Sequence, residues 1–502
     1  MKKLACLIFL ALISIKSFSG NQKCIIRGKI SDTSLHLNGN GNSIKITVLE
    51  NYFKAMLEKS GTQYHASIIS DSFNLEIPLS ADICYFKFEI NCQNGTVIPF
   101  FAYTASQSLF LIERQDSLFL TIKKNDVSFS GRGSEKLQCQ KYIYNLRYLP
   151  ESAHNRVLEL ESQQHFFESY SSIWKLLKFN LESKIEILKT YKRALSKNIY
   201  NRIYYDCMSQ MNIQLLRNLY LAPNYYGKEL RMPAIKKFIQ TKNDFSFADL
   251  VKDSLALIES AYYTDFLFER ERIKLQYLSK KDSVIKKVHI RQILPIIKKK
   301  YSGLLRDKLI LTSFLELAKG SFDEAIYFDE AMIMMAKGKF KNILLDWQNS
   351  HFVGRPSFNF SLPDTNNRLF NLRDFAGKVV VADFWFNGCS GCIYMTAALH
   401  PVINEFKENS NVVFLSINTD KARERWIRGL NRGIYTAPGQ LYLSTFGLGG
   451  DHPMIKFYNY NSFPQLLVMD KKGNIISTKP PNPGSDEGKG LIELINKSLE
   501  PN

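Results

Sequence analysis

The chain has 502 residues, 45% hydrophobic and 23% charged, a composition that excludes a disordered polymer and a length that exceeds one ordinary core. Lysines and arginines number 66 against 47 aspartates and glutamates, a formal net charge of +19. Its eight cysteines are too sparse for a disulfide scaffold.

The N-terminus reads MKKLACLIFLALISIKSFSG. Lys2 and Lys3 precede an apolar run from Leu4 to Ile15, and Ser17 and Ser19 supply small residues before a cut at Gly20. That pattern predicts a signal peptide over residues 1–19 and a periplasmic, exported protein. The apolar run is short for a membrane span, and no later stretch approaches the roughly 18 apolar residues that one requires, so no integral span is expected after signal removal. Cys24 follows Asn21-Gln22-Lys23 rather than a small-residue tetrapeptide, which disfavours a lipid-attached form. Export also answers the charge. Nucleic acid is excluded as a partner, and basic segments such as PIIKKKYSGLLRDK read as solvated helix faces.

Residues 20–134 read as short strands rich in Val, Ile and Phe, among them CIIRGKI, SIKITVLE, SFNLEIPL, CYFKFEI, VIPFFAY, SLFLTIK and VSFSG. The turn signal NGNGN at 38–42 and the Gly, Asn, Asp and Ser clusters between strands predict an antiparallel β-sandwich. Cys84 and Cys92 are placed either as a pair across a hairpin or as small buried side chains. No catalytic cluster stands out here. At GRGSEKLQ the period changes, and residues 135–352 predict a helical domain of amphipathic segments. Ser321-Phe322-Asp323-Glu324 opens one helix as a capping box, and Pro295 kinks or ends another. His154, His165 and His289 stand singly, without metal-ligand neighbours.

From residue 353 the pattern predicts an α/β domain running to residue 502, so that the whole is a multidomain α+β chain. A hairpin around Asp364-Thr365-Asn366-Asn367 leads to a buried strand from Lys378 to Phe386, then FNGCSGC and a helix to about Glu408. VVFLSIN (412–418) is the next strand and KARERWIRGL the next helix. QLLVMD and NIISTK follow, joined by an Asp470-Lys471-Lys472-Gly473 turn, and a helix closes the chain.

Cys389 and Cys392 lie three apart where a buried strand meets a helix. The unpaired N–H groups of that helix end stabilise a thiolate on the first sulfur, and the second lies one turn on, within reach of a mixed disulfide. Structural zinc needs a second such pair, and haem attachment needs histidine where Ile393 stands. An inert or structural disulfide stays open, as does copper held by the cysteines with His452.

FWFNGCSGC, with SFPQLLVMDKKGNII some seventy residues on and the lead-in GRPSFNFSLPDTNNRLFNLRDFAGKVVVADFWF, resembles the TlpA/ResA-like thiol–disulfide oxidoreductases of the thioredoxin superfamily. The resemblance spans about residues 353–500. It implies Cys389 as nucleophile, Cys392 as resolving thiol, Asp383 as the buried proton relay, and Phe463, Pro464 and Trp385 at the substrate side. It further implies no cofactor beyond the Cys389–Cys392 redox disulfide, disulfide-containing exported proteins as substrates (apocytochromes among them), a membrane thiol donor as reductant, and the reductase direction. Gly388 stands where the family often has tryptophan, Ser390-Gly391 replaces Gly-Pro or Glu-Pro, and Ala397 replaces the helix proline, with Pro401 following. Peroxidase chemistry fits worse, since it needs Thr and Pro where Phe386 and Ala382 stand. The alternative to an enzyme is a periplasmic binding protein whose thioredoxin-like domain is redox-silent.

Overall fold

The computed structural model describes residues 23–31, 42–49, 61–91, 97–99, 109–123, 126–146, 151–221, 228–241, 254–278, 288–318, 320–321, 324–460 and 462–500. The signal segment, most of the NGNGN turn and Cys92, hence the Cys84–Cys92 pair, lie outside the described residues.

The first strands are β1 (Cys24–Ile30), β2 (Ser43–Leu49), β3 (Thr62–Ser67), β4 (Ser72–Ile77), β5 (Ile83–Asn91), β6 (Val97–Pro99), β7 (Phe110–Glu113), β8 (Ser117–Lys123) and β9 (Asp126–Arg132). They form one sheet in the order β4-β1-β8-β9 and another in the order β3-β2-β5-β6, with β7 paired to β5. Alternation along β1 and β4 turns Ile26, Phe73, Leu75 and Ile77 inward. They meet Ile46, Phe86 and Phe88 of the other sheet in one cluster. β1 and β8 run parallel, a pairing absent from the all-antiparallel expectation. β3 and β7 were not legible as separate strands.

The helices α1 (Ser134–Asn145), α2 (Glu151–Ser162), α3 (Phe166–Thr190), α4 (Lys197–Leu221), α5 (Lys228–Thr241), α6 (Ser254–Glu259), α7 (Tyr263–Leu278), α8 (Ile290–Lys300), α9 (Gly303–Leu317), α10 (Ala325–Met334) and α11 (Lys339–His351) follow. Pro295 lies inside α8 and does not end it. The helical core takes in Leu49, Tyr85 and Leu111 from the strands. The Tyr85 hydroxyl donates to Asp206 Oδ2 of α4 at 2.7 Å, deep in that contact.

The remainder comprises β10 (Ser361–Pro363), β11 (Leu369–Asn371), β12 (Val379–Trp385), α12 (Ser390–Glu405), β13 (Val412–Asn418), α13 (Arg423–Asn431), β14 (Gln440–Ser444), α14 (Pro453–Phe457), β15 (Gln465–Met469), β16 (Ile475–Ser477) and α15 (Lys489–Leu499). The β10–β11 hairpin is closed by Asp364, whose Oδ1 accepts from the N–H groups of Asn366 and Arg368. The main sheet runs β14-β13-β12-β15-β16, with β12, β13 and β14 parallel and the last two strands antiparallel. β14 and α14 add to the expected elements.

β12 is central, and every residue of it is buried. Val380, Ala382 and Phe384 face one cluster with Leu415, Ile417 and Met454. Val379 and Val381 face the other, with Leu399, Val402 and Ile403 of α12 and Leu491 of α15. Because β12, β13 and β14 are parallel, their C-terminal ends Trp385, Asn418 and Ser444 share one edge of the sheet. Loops at such an edge carry sites in layered α/β folds. Gln63 of β3 also reaches that edge, donating to Asp451 Oδ1 at 3.2 Å.

Candidate redox site

Cys389 is the N-cap of α12, in extended backbone at φ −85° and ψ 104°. Its Sγ accepts the N–H of Cys392 at 3.1 Å, so the sulfur sits where the orphan donors of the helix converge. The first turn of α12 carries no carboxylate to oppose an anion there. The two sulfurs are joined as a disulfide. Cys389 keeps 6% of its surface and Cys392 none, so of the two it is Cys389 that reaches the surface.

Pro464 closes the other side. The Phe463–Pro464 peptide is cis. The Phe463 carbonyl oxygen lies 3.7 Å from Cys389 Sγ, and the proline ring abuts the turn between the cysteines. A Cβ on Gly391 would stand 3.1 Å from Pro464 Cδ, tighter than ordinary contact. Phe463 is half-buried, its ring edge-on to Phe386 at 6.0 Å.

Beneath the pair lies a packed aromatic base. Trp385 is fully buried, donates its indole N–H to Ser416 Oγ at 2.7 Å, and stacks on Tyr435 at 5.1 Å. It clusters with both cysteines. Trp385 therefore presents no surface to a substrate, and what it does at the site is support. The Tyr435 oxygen accepts the N–H of Gly388 at 2.9 Å. Gly388 has φ +108° with open space around its Cα, so backbone conformation, not crowding, excludes the tryptophan common at this position. Asp420 accepts the N–H of Asn387 at 2.8 Å and pairs with Arg425 Nε at 3.1 Å, while Arg425 also donates to the Asn387 carbonyl. Tyr435, Asp420, Arg425 and Ser416 are site residues that the sequence reading missed. They come from β13, α13 and two loops, and no local motif marks them.

Asp383 is 1% exposed. Strand alternation puts it between Val381 and Trp385 on the face that α12 covers. Neither of its carboxylate oxygens has a hydrogen-bond partner among the described residues. Desolvation alone pushes its pKa up to about 8. The large apolar neighbours on β12 contribute roughly 1.5–3 kcal/mol each on burial, which offsets the several kcal/mol that burying one acid costs. His452 lies elsewhere. Its Nδ1 accepts the Met454 N–H and caps α14, whose Met454 packs on the opposite face of β12.

A sulfur at a helix N-terminus, a fully enclosed partner sulfur, a facing cis-proline and a buried acid thus sit together at one edge of the sheet. A family model described as thioredoxin-like matches residues 377–475. The curated relatives include the thioredoxin-like protein YneN of Bacillus subtilis, 25% identical over 122 residues, covering 24% of this chain and 68% of the relative. The thiol-disulfide oxidoreductase ResA of Bacillus thuringiensis is 22% identical over 147 residues, 28% of this chain and 78% of ResA. Among solved structures, the thioredoxin domain of a thiol-disulfide oxidoreductase from Bacteroides vulgatus is 25% identical, covering 30% of this chain and 98% of that one, with a TM-score of 0.25. A thiol:disulfide interchange protein from a Bacteroides species is 24% identical over 30% of this chain and 91% of its own, also at 0.25. The C-terminal part of this chain carries a thioredoxin-like domain, similar to thiol-disulfide oxidoreductases such as ResA.

Proposed function

We propose that this protein is an exported thiol–disulfide oxidoreductase that reduces disulfides in other exported proteins. The observation that carries the reading is Cys389 Sγ at the N-terminus of α12, accepting the Cys392 N–H, in a residue that keeps 6% of its surface while Cys392 keeps none. In the reduced protein the Cys389 thiolate attacks one sulfur of a substrate disulfide. A Cys389–substrate bond forms, and the other substrate sulfur leaves as a thiolate and takes up a proton. Asp383, a base when ionised and placed on the face beneath α12, accepts the proton of Cys392. The Cys392 thiolate then attacks Cys389 Sγ, breaks the mixed disulfide and releases the second substrate thiol. Two electrons have passed to the substrate, and the chain holds the Cys389–Cys392 disulfide until a membrane thiol donor reduces it.

Pro464 and the Phe463 carbonyl, beside Cys389, would align the extended backbone of the substrate. Export rests on the Lys2-Lys3 and Leu4–Ile15 pattern of the N-terminus. The test is trapping. Cys392→Ser in the full chain should accumulate reductant-sensitive adducts through Cys389 with a disulfide-bridged protein, and Cys389→Ser should accumulate none. A Cys392→Ser protein that forms no adduct would end the exchange reading.

A further inference from the structure

Helix α13 lies directly against the loop that precedes Cys389. Gly429 makes this approach possible: a Cβ there would stand 2.8 Å from the Trp385 ring and 3.5 Å from Asn387 Cβ. Residues three, four and seven apart share a helix face, so Arg425, Arg428 and Arg432 line up beside that contact point. Arg425 donates to the Asn387 carbonyl at 3.0 Å, and the Arg432 guanidinium stands 5.9 Å from the Tyr435 ring whose hydroxyl holds Gly388. Arg428 and Arg432 are exposed, and neither has a carboxylate partner among the described residues. Of the nearby acids, Asp420 is buried and already engaged by Arg425 and the Asn387 N–H. In α12, just after Cys392, Ile393 and Tyr394 expose 36% and 82% of their surface.

We propose that the disulfide this dithiol attacks lies in an acidic polypeptide segment, whose carboxylates Arg428 and Arg432 receive beside the loop that leads into Cys389. The proposal rests on the reading of Cys389 as nucleophile and adds the class of substrate. Guanidinium forks take carboxylates in paired, directional hydrogen bonds, and clustered charge of one sign raises encounter rates with its opposite.

The test uses the full chain, reduced and freed of reductant, with two disulfide-bridged peptides of one length. One carries glutamates around the bridge and the other lysines. At low salt the acidic peptide should be reduced about tenfold faster, and the difference should collapse near 1 M ionic strength, where the screening length is about 3 Å. R428E with R432E should invert the order, and R428Q with R432Q should bring the ratio near one. Because each result is a ratio within one protein, a general loss of activity cancels. Equal rates in the native chain, or an acidic preference that survives R428E/R432E and so belongs to the overall charge, would overturn the proposal. If neither peptide is reduced, the dithiol reading itself fails and the substrate class falls with it.

Discussion

Cys389 and Asp383 occupy opposite electrostatic settings a few residues apart. The helix end and the Cys392 N–H favour an anion at Cys389, so in the reduced protein its thiol should be alkylated faster at neutral pH than a cysteine in an unstructured peptide. Timed alkylation, read as the mass of the Cys389 adduct, measures this, and a rate equal to or below the peptide's would contradict it. Asp383 has the reverse problem, because burial favours its neutral form. Its folded pKa of about 8 exceeds the unfolded value near 4. The folded state therefore binds a proton that the unfolded chain releases, and stability falls as pH rises from about 4 to about 8 before levelling. Asp383→Asn should remove that slope and raise stability near pH 8 by on the order of 3 kcal/mol relative to pH 5. The same variant should slow release of the trapped substrate by about 10² if the carboxylate serves as base. Melting curves at the two pH values and single-turnover rates separate the two effects. An unchanged slope would mean that Asp383 is ionised in the folded protein.

The strand–loop–helix unit from β12 to α12 was legible because its signals are local: a strand apolar but for Asp383, two cysteines at a helix start, and a downstream Phe-Pro. β14 was not, since QLYLS is five residues long and only Leu443 and Ser444 in it are buried. It is a strand because β13 pairs with it, a fact of tertiary context. β3 fails for a similar reason: TQYHAS shows no apolar alternation and lies at a sheet edge. Asp420, Tyr435 and Arg425 escaped notice because what makes them matter is their distance from Gly388 and Asn387, which no spacing encodes. The contact between α13 and Trp385 makes this dependence testable. Gly429→Ala would insert a methyl group 2.8 Å from the indole ring, and since both sides are packed, the helix or the ring must shift. A loss of about 1–3 kcal/mol is expected, with slower exchange at Cys389 because the Asn387–Gly388 loop moves with it. Denaturation midpoints and the exchange rate should change together. A Gly429→Ala protein with native stability and native exchange would show that α13 does not position the loop.

The described parts of the chain are joined by polar contacts as well as by apolar packing. Gln63 ties the strand module to the sheet edge that carries the dithiol, and the N–H of Gly354 donates to the Ile475 carbonyl where the helices give way to the C-terminal domain. The most enclosed of these contacts is at Asp206, which accepts from the Tyr85 hydroxyl, the Ser260 hydroxyl and the Ala261 N–H. Desolvation pushes its pKa up to about 6 against the pull of those donors and of Arg202, so it is ionised at neutral pH and protonated in mild acid. Its folded pKa lies above the unfolded one, so its contribution to stability is greatest below about pH 4 and is lost as pH rises through about 6. Removing one donor should sharpen that loss, because a charged acceptor short of a partner costs more than a neutral one. Tyr85→Phe should therefore cost about 2–3 kcal/mol near pH 7.5 and about 1 kcal/mol near pH 4.5. It should also expose the junction of strands and helices to protease before the thioredoxin-like domain is cut. Urea denaturation at both pH values, with limited proteolysis followed by mass spectrometry, measures each part. An equal cost at the two pH values would mean that Asp206 keeps one charge state throughout, and no cost at either would mean that apolar packing alone holds the module in place.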